Sequence, residues 1–233
     1  MTVRTDQREA GAQVPWIVFV GLAFATSVCL GLLGLRVVKT RHFTHAWLGW
    51  NLFLAWLPVI SAVMAYHLTR SRRPTGWAAA LPIAFFWLLF FPNAPYLLTD
   101  LVHLRPEGTV SFWYDILLLG TVVCVGVLLG VVSLRLMQIL VGEVFGYLAS
   151  WVFVFVAIGL SGIGVYLGRF LRWNSWDFLT DPLTVLLLFW NGLCDPLAHV
   201  RTVGFAGMFS LCFLAVYVSV VAVAHLQRER PLR

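Results

Sequence analysis

The chain has 233 residues, of which 61% are apolar and only 11% are charged, and its formal net charge at pH 7 is +6. A soluble globular domain is about a quarter charged, so this chain has too little polar surface to cover a water-soluble globule. The composition therefore predicts a protein surrounded by lipid. The 16 Lys and Arg residues are scattered among the breaks between apolar segments. Because they form no dense basic run, we do not expect nucleic-acid binding.

Six apolar segments are long enough to cross a hydrocarbon core of about 30 Å as helices, which takes about 20 residues. In chain order they are Pro15–Leu35, Ala46–Tyr66, Trp77–Leu98, Phe112–Leu134, Tyr147–Leu167 and Gly204–Ala224. The segments are continuous rather than alternating, so they predict helices and not the strands of a barrel.

A further apolar segment, Leu183–Cys194, lies between two aspartates and is too short to span. We expect it to be a short re-entrant or interfacial helix. The predicted fold class is therefore all-α, a polytopic membrane helix bundle of six transmembrane helices plus this element. Residues 15–226 form a single transmembrane domain, residues 1–14 a polar N-terminal tail, and residues 227–233 a basic C-terminal tail.

Six crossings place both termini on the same side of the membrane. Nine of the 16 basic residues fall on that side and seven on the other. Basic residues are enriched in cytoplasmic loops, so this distribution favours a plasma (inner) membrane protein with both termini in the cytoplasm.

Two prolines interrupt the third apolar segment. Pro92 and Pro95 each remove a backbone N–H, and Asn93 between them can cap a restarted helix. If a helix continues from there, Tyr96, Asp100 and His103 lie within about 60° of one another on one face. The segment then predicts one polar stripe with Asn93 at its head. The alternative is an interfacial loop of ordinary turn residues.

Other unusual polar residues fall on the same side, opposite the termini, because odd-numbered helices end there and even-numbered helices begin there. The set as a whole is Asn51, Asn93, Tyr96, Asp100, His103, Asp115, Arg169, Arg172, Asn174 and Asp177. We therefore expect these side chains to converge on one site near one membrane face.

Asp115 shares a helix face with a Gly126–Gly130 pattern, and the fifth helix carries a Gly164–Gly168 pattern. Small residues at this spacing let membrane helices approach closely. If these two faces meet, Asp115 is expected to point towards Arg172 and to form a buried ion pair with it.

Two pairs of neighbouring ionisable residues suggest chemistry. Arg169 and Arg172 are three residues apart, so one helical turn would present both guanidinium groups to a phosphate or carboxylate. The alternative is a pair of interfacial anchors.

Asp100 and His103 have the i, i+3 spacing of two metal ligands. A divalent metal held there stays an open alternative, and it needs a third ligand.

Several stretches resemble an integral-membrane family catalogued as domain of unknown function 1361. The most specific are Pro92-Asn93-Ala94-Pro95-Tyr96 and Arg172-Trp173-Asn174-Ser175-Trp176-Asp177, and Trp50–Pro58 and Trp113–Asp115 also fit. The resemblance covers about residues 45 to 225. It implies a bacterial multi-pass membrane protein and marks the polar stretches as family motifs. It implies no activity, so no catalytic roles follow from it.

Three hypotheses of function remain. The first is a site that binds, or acts on, an anionic lipid or lipid-linked phosphate. Arg169 and Arg172 would hold the headgroup. Asp100 or Asp115 would be the base, and His103 would be the acid–base partner. The second is a non-catalytic assembly or accessory subunit, and the third a small-solute transporter built around the interrupted helix. The chain contains no HExxH, GxSxG, P-loop or GxGxxG pattern, so it carries no standard catalytic motif.

Overall fold

A computed structural model describes residues 16–43, 45–70, 74–104, 111–173, 175, 180–181, 183–184 and 200–228. The regular elements in these ranges are helices only. In chain order they are α1 (Trp16–Thr40), α2 (Trp47–Arg70), α3 (Pro74–Phe90), α4 (Asn93–Tyr96), a 3₁₀-helix η1 (Leu97–His103), α5 (Phe112–Phe145), α6 (Tyr147–Phe170) and α7 (Val200–Arg228).

Six segments of the described chain are long and apolar enough to cross a membrane. They are α1, α2, Gly76–His103 (which joins α3, α4 and η1), α5, α6 and Val200–Leu226 within α7. The six predicted spans and the all-α class are thus confirmed. Large apolar side chains such as Phe24 and Leu81 are about 70% exposed (70% and 71%), as a surface facing lipid requires. The helices indicate a multi-pass membrane protein.

Other sequence predictions fall outside the described residues. Only Leu183 and Thr184 of the predicted re-entrant segment Leu183–Cys194 are described. The tail at residues 1–14 also lies outside the described ranges, as does most of the one at residues 227–233. The plasma-membrane location and the cytoplasmic termini stay predictions.

Helix α5 continues well past Leu134, where the apolar segment was expected to end. Arg135, the next residue, donates a hydrogen bond through Nη1 to Gln138 Oε1 at 2.6 Å, and Tyr217 of α7 donates to the same oxygen at 2.6 Å. Because these polar groups satisfy one another inside the bundle, they do not terminate the helix. The helix ends at Phe145, and Gly146, whose φ is 88°, permits the reversal into α6, which begins at the next residue.

The bundle packs through two apolar clusters. Helix α2 contacts α3 and α5, α6 contacts α5 and α7, and α1 packs mainly on α5. One cluster joins α1, α2 and α5 to the α4–η1 segment. The other surrounds Trp87, Phe91, Phe213 and Tyr217. The interrupted segment therefore lies between the two halves of the core.

The two glycine patterns do not pack against each other as predicted. A Cβ atom at Gly126 would lie 2.7 Å from the Ala94 carbonyl oxygen, and one at Gly164 would lie 2.8 Å from Pro92 Cγ. Both helices thus approach the interrupted segment through their glycines. The close approach is possible because glycine has no side chain and because the segment presents backbone and proline-ring atoms to its neighbours. The glycines fix the position of the segment that carries Asn93 and Tyr96.

Candidate functional site

The interruption in the third span follows from its prolines. Pro95 has no N–H, and Ala94 donates its N–H to the Phe91 carbonyl at 3.2 Å. The Phe90 carbonyl is thereby left without its helical donor, and it accepts instead from Asn93 Nδ2 at 2.9 Å. The prediction that Asn93 caps the restarted helix is therefore wrong: its side chain donates to the preceding turn rather than accepting from the following one.

Asp100 and His103 share one face of η1, because residues three apart eclipse in a 3₁₀-helix. Asp100 is 1% exposed, whereas His103 is exposed. Arg169 at the end of α6 reaches both: its Nη1 and Nη2 lie 3.3 and 3.2 Å from His103 Nε2, and Nη1 lies 3.9 Å from Asp100 Oδ1. Asn51 of α2 donates through Nδ2 to Asp100 Oδ2 at 3.2 Å. The predicted convergence is found for these four residues.

The ring of His103 also contacts Trp47, with centroids 4.8 Å apart. Trp47 begins α2, so the imidazole is held between the start of one span and the end of another. Its Nε2 faces the Arg169 guanidinium, and a neutral imidazole can accept a hydrogen bond there.

Asp115 does not pair with Arg172, contrary to the prediction. Arg36 at the end of α1 donates through Nε to Asp115 Oδ1 at 2.8 Å and through Nη2 to Oδ2 at 3.2 Å. Both side chains are buried. The reason is packing: α1 lies against the start of α5, so the acid's nearest guanidinium comes from the first span and not from the fifth.

Arg169 and Arg172 do not form the predicted fork on one helical turn. Helix α6 ends at Phe170, and Arg172 has a left-handed φ of 59°. The Trp173 N–H bonds to the Leu167 carbonyl at 3.2 Å, which ties the turn to the last turn of the helix. Arg172 is exposed at this turn, so its side chain leaves the helix on a path of its own. Asn174 and Asp177, the other predicted ligand-binding residues after α6, lie outside the described residues.

A cavity of about 300 Å³ lies beside these groups, between α2, the α3–α4 segment and α6. Its polar lining comes from Asn51, Asn93, Tyr96 and Ser175, and Asn93 Nδ2 donates to Ser175 Oγ at 2.9 Å. The remaining lining is apolar, aromatic or glycine: Trp50, Leu54, Phe85, Leu88, Leu89, Pro92, Leu160, Ile163, Gly164, Leu167, Gly168 and Trp173. A mostly apolar pocket with a few polar groups is the usual form of a small-molecule site.

Asp100 and His103, two of the predicted catalytic or metal-binding residues, already contact a positively charged side chain. The Arg169 guanidinium contacts His103 and lies 3.9 Å from Asp100 Oδ1, so a positive charge already lies beside both groups. In the part of the chain that the structure describes, no three His, Cys, Asp or Glu side chains are grouped to bind a metal ion. A third ligand for Asp100 and His103 is therefore not supplied by these residues.

Sequence reasoning missed two members of this region. Arg36 was counted only as a basic residue at a helix end, and its depth in the bundle follows from the packing of α1 on α5. Ser175 lies in the Arg172–Asp177 motif, but its contact with Asn93 depends on the turn at Arg172. In both cases the missing information was tertiary.

The family described as "Protein of unknown function (DUF1361)" matches residues 50–216. This range is most of the chain, and the chain belongs to that family. No curated protein and no solved structure matches the chain. The matched range contains every residue that lines the cavity, whereas Arg36 precedes it.

Proposed function

We propose that this member of the DUF1361 family binds a lipid or lipid-linked phosphate from one leaflet, with an apolar chain in the cavity and a polar head at its outer end. The observation that carries the proposal is the cavity itself. Its walls are apolar over most of their area, and its four polar side chains lie on the first turns of α2, on α4 and in the turn that follows α6. A ligand that matches this division is amphipathic.

The depth of the cavity fits one leaflet. On α6 its lining extends from Leu160 to Gly168, about 12 Å along the helix axis at about 1.5 Å per residue. Half of a hydrocarbon core of about 30 Å is about 15 Å. A chain lying in the cavity would therefore reach from the headgroup region to near the bilayer midplane.

Access from the bilayer is favoured by the wall between α2 and α3. Trp50 and Phe85 line the cavity and are 55% and 53% exposed, so this wall reaches the outer surface of the bundle. The outer surface of the spans is apolar and faces lipid tails. If the ligand enters by this route, its apolar chain does not have to pass through water.

The positive charges lie beyond the polar end of the cavity. Arg169 follows Gly168, the outermost α6 residue of the lining, and its side chain is 21% exposed. Arg172 is exposed at the next turn. A phosphate on the head of the ligand would lie near these guanidinium groups, which bind phosphate oxygens well. This arrangement supports an anionic headgroup.

The candidate catalytic residues have separate roles in this proposal. Asp115 is part of the buried pair with Arg36, and we assign it a structural role. Asp100 positions Asn51 and Arg169 rather than touching the ligand, because it is buried and does not line the cavity. His103 is exposed beside Arg169, so any acid–base step on the headgroup would fall to it.

The proposal is tested by measuring lipid retained by the purified full chain with native mass spectrometry. Leu160→Trp places a larger side chain in the inner end of the cavity and is expected to remove retained lipid. Leu211→Trp makes the same change on α7, where Leu211 is 67% exposed, and is expected to leave retention unchanged.

Equal retention by both variants would contradict the proposal. A wild-type chain that retains no lipid and binds none when lipid is added would instead favour the accessory-subunit hypothesis. Solute uptake into liposomes containing the purified chain would favour transport.

A further inference from the structure

The asparagines of the cavity donate hydrogen bonds to the protein itself, Asn93 through both of its Nδ2 hydrogens and Asn51 through one. Asn93 donates one Nδ2 hydrogen to the Phe90 carbonyl and the other to Ser175 Oγ, so both of its donors are occupied. A carbonyl oxygen cannot donate, so the contact with Phe90 fixes which side of the amide is nitrogen. Asn93 Oδ1 accepts no hydrogen bond from the described residues, and it is the part of this amide left for a ligand.

Asn51 is oriented in the same sense. Its Nδ2 donates to Asp100, and a carboxylate acts only as an acceptor, so this contact also fixes the amide orientation. Within the described ranges, Oδ1 of Asn51 has no donor either. Each of the two asparagines that line the polar end of the cavity thus has an amide oxygen without a donor from the described residues, and the buried carboxylate of Asp100 contacts the amide nitrogen of Asn51.

Such a lining disfavours a phosphate at this depth. Phosphate, carboxylate and ester oxygens only accept hydrogen bonds. They can accept from the hydroxyls of Tyr96 and Ser175 or from the second N–H of Asn51, but they leave both amide oxygens without a donor, and an uncompensated polar group is costly in a cavity. A hydroxyl group can donate to an amide oxygen and accept from the hydroxyl of Tyr96 or Ser175, which also line the cavity. The positive charges that suit a phosphate lie farther out, at Arg169 and Arg172.

We infer that the ligand is a single-chain lipid with a free hydroxyl between its chain and its phosphate, the chemistry of a lysophosphatidic acid. The inference rests on the proposed function and names its substrate class. The hydroxyl occupies the polar end of the cavity beside Asn51 and Asn93, and the phosphate lies outside it.

The size of the cavity supports one chain rather than two. Pockets for small molecules measure about 300–1,000 Å³. The cavity of about 300 Å³ lies at the lower end of this range, which suits the inner part of one chain.

The test compares two probes that differ by one oxygen atom. Lauroyl lysophosphatidic acid and its propanediol analogue, which lacks only the free hydroxyl, are titrated into the purified full chain, and both affinities are measured by native mass spectrometry. The hydroxyl probe is expected to bind about five- to tenfold more tightly, the factor that a hydrogen bond of ordinary strength contributes.

Ser175→Ala tests the Asn93 amide together with the Ser175 hydroxyl that accepts from it. It removes the acceptor of one Asn93 N–H, which becomes available to the oxygens of a ligand, so the preference for the hydroxyl probe is expected to fall to about twofold or less. Ser219→Ala, the same change at an exposed position on α7, is expected to preserve the preference.

The outcomes distinguish a failure of the hydroxyl assignment from a failure of the proposed lipid binding. Equal affinity of the wild-type chain for both probes overturns the hydroxyl assignment while leaving lipid binding in place. A preference that Ser175→Ala leaves unchanged also overturns it. Binding of neither probe overturns the proposed function itself.

Discussion

Arg36 and Asp115 form a buried two-point ion pair between the end of the first span and the start of the fourth. The two contacts measure 2.8 and 3.2 Å, and the side chains are only 4% and 6% exposed. One turn away, the Tyr114 hydroxyl donates to the Leu32 carbonyl, so α1 is tied to α5 twice. Since α1 packs mainly on α5, these contacts fix the first span to the rest of the bundle.

Removing one member of this pair is expected to destabilise the protein. Arg36→Met or Asp115→Leu alone leaves a buried charge without its partner, which typically costs about 3 kcal/mol or more in free energy of unfolding. The double variant, Arg36→Met with Asp115→Leu, leaves no orphan charge and should recover most of that loss. Thermal unfolding of the four proteins in detergent measures the cycle. Additive losses in the double variant would show that the two side chains do not act as a pair.

The glycine contacts predict a sharp difference between two positions on α5. Gly126→Ala would place a Cβ atom 2.7 Å from the Ala94 carbonyl oxygen, so the interrupted segment would have to shift, and overpacking of this kind costs about 1–3 kcal/mol. Gly120→Ala is the matched control: nothing lies within 4 Å of its Cβ position, so the change should be neutral or stabilise the helix by up to about 1 kcal/mol. Equal melting temperatures for the two variants would contradict the close approach.

The spans were predictable because the length of an apolar run is a local property of the sequence. The meeting of Asn51, Asp100, His103 and Arg169 was also predictable, since the alternation of up and down helices decides which helix ends share a side. Partners were not. Asp115 was expected to find Arg172 but pairs with Arg36, because the order of helices along the chain does not say which spans are neighbours.

The cavity could not be inferred from the sequence either. Its lining comes from α2, α3, α4 and α6, and its polar end depends on the turn that returns Ser175 to Asn93. That turn places Arg172 at a left-handed φ, a conformation that nothing in the sequence around an arginine predicts.

The buried carboxylate of Asp100 predicts a specific dependence on Arg169. Arg169→Ala removes the guanidinium that Asp100 Oδ1 faces at 3.9 Å, and this oxygen has no hydrogen-bond partner in the described structure. We expect a loss of about 2 kcal/mol in free energy of unfolding, and Asp100→Asn in the same chain should restore most of it because the orphan charge is gone.

The matched control for this cycle is Arg70→Ala. Arg70 pairs with Glu143 at 2.5 Å, but these side chains are 37% and 48% exposed, so water replaces the lost contact and the change should cost less than about 1 kcal/mol. If Arg169→Ala were no more harmful than Arg70→Ala, Arg169 would not be compensating the buried acid.

Arg172 allows the effect of charge to be separated from the effect of backbone conformation. Its φ of 59° is strained for any residue with a Cβ atom, so Arg172→Gly should be about 1 kcal/mol more stable than Arg172→Ala in thermal unfolding. Both variants lack the guanidinium, and if a phosphate lies beside this exposed residue, both should bind lauroyl lysophosphatidic acid about fivefold more weakly than the wild-type chain does. Arg172→Lys keeps a positive charge and should lose less affinity.

Monolauroylglycerol, which has the same chain and no phosphate, provides the control for charge. Its affinity should be the same in the wild type and in the Gly, Ala and Lys variants, because its contacts would lie with Asn51 and Asn93 inside the cavity and not at the rim. If the variants weakened both ligands equally, the turn at Arg172 would be acting through the shape of the cavity, since Trp173 and Ser175 follow it directly and line the same space. The phosphate would be placed at Arg172 by a loss of affinity that affects only the phosphate-bearing ligand. This loss should be equal in the Gly and Ala variants, although their stabilities differ.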